Sequence, residues 1–206
     1  MIQIALISIV LGISGIANAQ EAEKFSERDG CRIDLGLVAP NEGHAVQFGY
    51  NTPVLFKHNF HGQELMYSLN LFGELDYFKD AKVNDDNGSL ETSKSWLIGA
   101  TLEERSAVVN DLIQGYGKMG AIYIKPDSQV YDESNLWGFY LAVGVDIVVL
   151  PNRKRWFGDK TKDMTIFAEM SLISGVGRSD GESDNQVASR DFYNGFRPTI
   201  GIRESF

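Results

Sequence analysis

Apolar and polar residues alternate one by one over most of this chain. In the clearest stretch, Leu65, Tyr67, Leu69, Leu71, Leu75 and Tyr77 share one parity, and Met66, Ser68, Asn70, Phe72, Glu74 and Asp76 share the other. A period of two is the mark of an extended strand whose faces meet different surroundings. The alternation predicts eight strands: Cys31–Val38, His44–Asn51, Leu65–Tyr77, Ser95–Glu103, Leu112–Lys125, Leu136–Leu150, Met164–Ser174 and Phe196–Phe206. In Leu112–Lys125 the pattern is poor, and Gly115, Gly117 and Gly120 suggest bends or close packing, so its faces stay unassigned. Val54–Gln63 reads either as a turn with two aromatics or as part of a strand. Polar or glycine-rich connections are expected at Lys79–Lys94, Pro126–Asn135 and Gly175–Asp191, and a basic turn at Pro151–Asp163.

Eight antiparallel strands with short and long connections in turn describe an all-β, up-and-down barrel. Alternation alone does not decide whether the apolar face lies inside, as in a lipocalin, or outside, in a membrane. Two features favour the membrane. The polar faces are rich in Gly, Ser, Thr and Asn with a few charges of both signs, which suits the crowded lumen of a narrow barrel better than a water-facing surface. The aromatics also fall into two levels. Tyr77, Trp96, Trp137 and Phe196 lie at one end of their strands; Tyr67, Trp156 and Phe206 lie near the other. A transmembrane barrel carries such girdles at both interfaces. Pro198 fits a closed ladder only with a bulge near the rim.

The termini add a location. Residues 1–19 read as a cleaved signal peptide: an apolar run from Ile2 to Ile13, then the small-x-small site Ala17-Asn18-Ala19. Residues 20–30 read as a periplasmic leader and 31–206 as the barrel. Phe196, Ile200, Ile202 and Phe206 share one face of the closing strand, and Phe206 ends it. This pattern resembles the C-terminal signature of Gram-negative outer-membrane barrels, with Glu204 as a departure. Over the whole mature chain, from about Gln20, the sequence resembles the small OmpA-type family. The resemblance implies an eight-stranded monomer in the outer membrane, contacts with outer-membrane lipids, and insertion by the barrel-assembly machinery through the C-terminal strand.

Composition narrows the partners. The net charge is −9, which argues against nucleic acid. Cys31 is the single cysteine, so no internal disulfide forms. His44, His58 and His61 build no specific catalytic or metal motif, and no serine is placed beside His44 by sequence; no enzyme activity, metal or cofactor is expected. The candidate site is the set of charges on the polar faces: Arg32, Asp34, Glu74, Asp76, Glu103, Asp146, Glu169, Arg197 and Arg203. Buried charges must pair or line water. The favoured reading is an ion-pair plug, with Glu169 bonded to Arg197 or Arg203. The function expected is structural, or binding through extracellular loops; a narrow channel and a lipid A-modifying enzyme are the alternatives. The Arg153-Lys154-Arg155-Trp156-Phe157 turn is a candidate contact for lipid headgroups.

Overall fold

The computed structural model describes residues 30–40, 43–60, 63–82, 90–109, 112–125, 136–154, 161–175 and 193–205. The expected signal peptide and most of the leader, all of the loop 126–135 and much of the other polar loops, His61, Arg155, Trp156, Phe157 and Phe206 lie outside the described residues. Among those described, nine strands form one antiparallel sheet: β1 Arg32–Val38, β2 Gly43–Asn51, β3 Phe56–Phe60, β4 Gln63–Lys82, β5 Leu90–Val109, β6 Ile113–Lys125, β7 Leu136–Lys154, β8 Thr161–Ser174 and β9 Gly195–Ser205.

The sheet closes on itself. Apart from β2 and β3, which do not pair with each other, each strand pairs with the next; β9 returns to β1 and β2 pairs β4, which makes an eight-stranded barrel with β3 as an extra strand. The ambiguous segment resolves here. Phe56–Phe60 pairs with Gln63–Tyr67, below the stretch of β4 that holds β2. Thr52 to Leu55 interrupts the wall between β2 and β3, and its amides still reach β4 through Thr52 N to the Leu69 carbonyl and Leu55 N to the Tyr67 carbonyl.

The strands outrun the alternation. β4 and β5 extend into the expected polar loop to Lys82 and from Leu90, with a bulge between Phe78 and Ala81. β5 continues past Glu103 to Val109, and β7 and β8 enter the expected basic turn to Lys154 and from Thr161. Ladder hydrogen bonds need only paired backbone, so a strand persists where its side chains no longer meet two environments. Pro198 is a correction. The register of β9 runs unbroken through it, with no bulge. Its carbonyl accepts from Ala39 N, just past the end of β1. In an extended strand a residue's N and O point to the same side, so the missing donor faces a neighbour that has already left the ladder.

Burial alternates with the sequence but in the opposite sense from a water-soluble fold. In β1, Arg32 and Asp34 are buried, whereas Ile33, Leu35 and Leu37 are exposed. The same inversion holds for Phe48 and Gln47, Ile98 and Thr101, and Phe196 and Arg197. β6 now has faces: Gln114, Tyr116, Lys118, Ile122 and Ile124 point inward, and Met119, Ala121 and Tyr123 outward. Rings lie over inward glycines where backbone must be approached closely. At Gly144 a Cβ would enter the Tyr116 ring and sit 2.9 Å from the Ala168 carbonyl oxygen. At Gly201 it would meet the Phe167 ring and the Leu35 carbonyl.

Candidate functional site

The lumen holds two charge clusters. The larger is centred on Arg203 of β9. Its Nε donates to Asp34 Oδ1 at 2.6 Å, Nη2 to Asp34 Oδ2 at 2.9 Å, and Nη1 to Asp146 Oδ2 at 2.6 Å. The guanidinium also lies between two rings, with Tyr116 at 4.8 Å and Phe167 at 5.0 Å. Asn51 Nδ2 donates to Asp34 Oδ2 at 3.0 Å. Arg32 bonds Glu103 and lies 3.7 Å from Asp146. Arg105 Nε lies 3.4 Å from Glu103. Lys118 Nζ lies 2.7 Å from Glu169 Oε2 and 4.0 Å from Glu103 Oε2. Tyr140 donates its hydroxyl proton to Glu169 Oε1 at 2.6 Å. Arg32, Arg105, Lys118 and Arg203 thus balance Asp34, Glu103, Asp146 and Glu169. All eight are buried.

The smaller cluster sits toward the end where Trp96 and Trp137 lie. Arg197 of β9 reaches across to β4 and bonds both Glu74 and Asp76, and Gln47 Nε2 lies 3.4 Å from Glu74 Oε2. Here one cation serves two carboxylates. Beside it the lumen is apolar. Phe72, Leu97, Ile122, Ile124, Leu136, Tyr140, Ile173 and Tyr193 belong to one buried cluster, with the Phe72 and Tyr140 rings 4.8 Å apart. Ion pairs and apolar side chains share the interior, whose bore is narrow in an eight-stranded barrel. The interior thus carries charges of both signs in contact with one another, next to apolar packing.

All nine candidate charges lie inside the wall, in these two clusters. The expected Glu169 pairing is wrong. Glu169 is opposite Thr199, between the two arginines, and its carboxylate meets Lys118 and Tyr140 instead. Two buried cations were missed, Arg105 and Lys118. Arg105 has the parity of Glu103 and would have been found had the strand been carried two residues further. Lys118 stands between Gly117 and Met119 in the one strand whose alternation fails.

Outside the wall, Tyr77, Trp96, Trp137 and Phe196 share the outward face at one end, where Tyr123 joins Trp96 at 5.7 Å and Trp137 at 5.0 Å. Tyr67 stacks on Phe56 at 4.6 Å near the other end. His44 stacks on Tyr77 at 5.4 Å on the outward face, on the far side of the wall from the lumen serines Ser68, Ser95 and Ser171. His58 is exposed on β3. Cys31 Sγ lies 3.2 Å from the Tyr50 hydroxyl. Among the described residues no group of three or more His, Cys, Asp and Glu could hold a metal ion.

No protein-family model matches the chain, and neither a curated protein nor a solved structure matches it.

Proposed function

We propose that this chain is an outer-membrane β-barrel protein with a structural role or a binding role carried by its extracellular loops, and with a lumen closed by ion pairs and apolar packing. The observation that carries the reading is the inverted partition. Arg32, Arg105, Arg197 and Arg203 are each at most 2% exposed, while Trp137, Phe196 and Leu37 are more than 60% exposed. Burying four arginines while leaving a continuous apolar belt in water would cost the fold twice. A hydrocarbon solvent around the barrel reverses the second cost.

The dimensions agree with a bilayer. Tyr67 and Tyr77 lie on one strand, and the stretch between them rises about 25 Å if a strand of ~3.3 Å per residue tilts by about 40°. The connections support one orientation. Residues 39–42, 83–89, 126–135 and 175–194 join strands at the Trp137 end, and 52–55, 61–62, 110–112 and 155–160 join them at the other; the three longest joins are all at the Trp137 end. Long loops face the exterior and short turns the periplasm in such barrels. The OmpA-type resemblance, the signal peptide, the lipid contacts, the monomeric state and the assembly-machinery contact belong to the same proposal.

The test is electrophoretic mobility before and after heating, with the protein extracted from isolated outer membranes. A heat-shifted band from the outer-membrane fraction is expected. Recovery in the soluble fraction with no heat shift would sink the reading. Single-channel recording separates the channel alternative: the filled lumen should give background current, and a large steady conductance would make the protein a pore.

A further inference from the structure

Three neighbouring strands carry an unusual row at the Trp137 end of the outward face. His44 of β2 is opposite Tyr77 of β4, and Tyr77 is opposite Lys94 of β5. The imidazole stacks on the Tyr77 ring at 5.4 Å with planes 13° apart, and Lys94 Nζ lies 5.9 Å from the same ring centre. The next residue out on β5, Trp96, is opposite Lys125 of β6, which shares its outward face. Lys94 and His44 are exposed, and Trp96 is 41% exposed.

This crest sits directly above apolar rows such as Leu75 and Ile98, both exposed. It is basic in a chain of net charge −9. At the opposite end Glu104 of β5 is half-buried, Glu204 of β9 is buried, and Lys57 is paired with Glu64 on the β3–β4 hairpin. A lysine at a membrane boundary favours anionic headgroups, and an aromatic ring beside it seats the lipid at the level where acyl chains give way to polar groups. Both lysines and His44 can donate to phosphate oxygens.

We propose that His44, Tyr77, Lys94, Trp96 and Lys125 form a binding site for the phosphorylated headgroup of an outer-leaflet glycolipid. The orientation rests on the outer-membrane reading above. The glycolipid, rather than a glycerophospholipid, is chosen because the crest spans β2, β4, β5 and β6, a width that suits a headgroup with phosphates at separated positions.

The experiment uses the full chain in nanodiscs of uncharged phosphatidylcholine. These are doped with bisphosphorylated lipid A, with its dephosphorylated form, or with phosphatidylglycerol. Native mass spectrometry then reads the lipid that stays bound to wild type and to the K94Q/K125Q variant. Wild type should retain bisphosphorylated lipid A over both others, and the variant should lose roughly tenfold of that retention. Equal retention of the dephosphorylated lipid or of phosphatidylglycerol would overturn the site, as would undiminished retention by the variant. Heat-shifted mobility is scored on the same samples. If it is present and phosphate-dependent retention is absent, only the site fails; if it is absent, the barrel reading and the site fall together.

Discussion

Two lysine–glutamate pairs in two regions of this molecule have similar geometry and opposite surroundings. In the lumen, Lys118 Nζ and Glu169 Oε2 are 2.7 Å apart, with side chains 3% and 0% exposed. On the β3–β4 hairpin, below the closed wall, Lys57 Nζ and Glu64 Oε1 are 3.2 Å apart, with side chains 37% and 47% exposed. Coulomb attraction at such distances is several-fold larger where water is excluded. The desolvation cost is larger too, so a buried pair adds little net stability while both partners are present. What differs is the penalty for breaking it. Water takes over the orphan on the hairpin, and nothing comparable does so beside Tyr140 and Tyr116.

The largest expected effect follows. Lys118→Met should destabilise the barrel by about 3–5 kcal/mol, because Glu169 keeps Tyr140 but loses its cation. Adding Glu169→Gln should restore part of the loss, since no uncompensated charge then remains. Urea titration of the protein folded into lipid vesicles gives both values. A double variant as unstable as the single one would mean that the pair acts through packing and that the comparison is wrong.

The second effect concerns the other face of the same wall. Val143 and Ala142 are neighbours on β7, with Val143 outward and opposite Gly117, and Ala142 buried inward. Val143→Arg should cost about 2–4 kcal/mol in a bilayer, the range for a cation near mid-depth. In a short-chain detergent, where the head can reach water, the cost should shrink. The same cost in both media would mean that the outward face does not meet hydrocarbon.

A smaller effect tests the close ring-to-backbone approach. Gly144→Ala should cost about 1–3 kcal/mol as Tyr116 is pushed off Arg203. Gly73→Ala should be near neutral, because its nearest neighbour to a Cβ is the Leu97 carbonyl oxygen at 3.8 Å. Thermal shifts of equal size in the two variants would remove Tyr116 as the reason.

The eight barrel strands and the inside–outside sense of most of them were legible because the lumen and the surroundings impose a two-residue period on nearly every one. Candidate charges such as Asp34 and Glu103 follow from parity alone. The pairings did not, because a barrel's partners are chosen across the lumen. Arg197 lies on β9 yet bonds Glu74 and Asp76 on β4, a contact fixed by tilt and side-chain length rather than by any spacing in the chain. Lys118 was hidden by Gly115 and Gly117, which have the outward parity. Glycines add no apolar signal on the outward face, so the alternation disappears although the strand is regular. β3 was ambiguous for a related reason. All five of its residues are exposed, so no partition writes a pattern into them.

The smallest effect returns to the hairpin and decides whether exposure accounts for the difference between the two pairs. Lys57→Ala removes the cation from a pair whose partner stays in water. Its expected cost is about 0.2–1 kcal/mol, the range for an exposed ion pair. Raising the ionic strength to about 1 M shortens the screening length to ~3 Å, so the difference between wild type and variant should vanish there. The cost of Lys118→Met should barely move with the same salt, because ions do not reach a pair enclosed by the wall. The informative quantity is therefore the salt dependence of the two variants side by side in one vesicle preparation. If the lumen variant loses its penalty in high salt along with the hairpin variant, ions enter the interior, and the ion pairs line a passage instead of closing it.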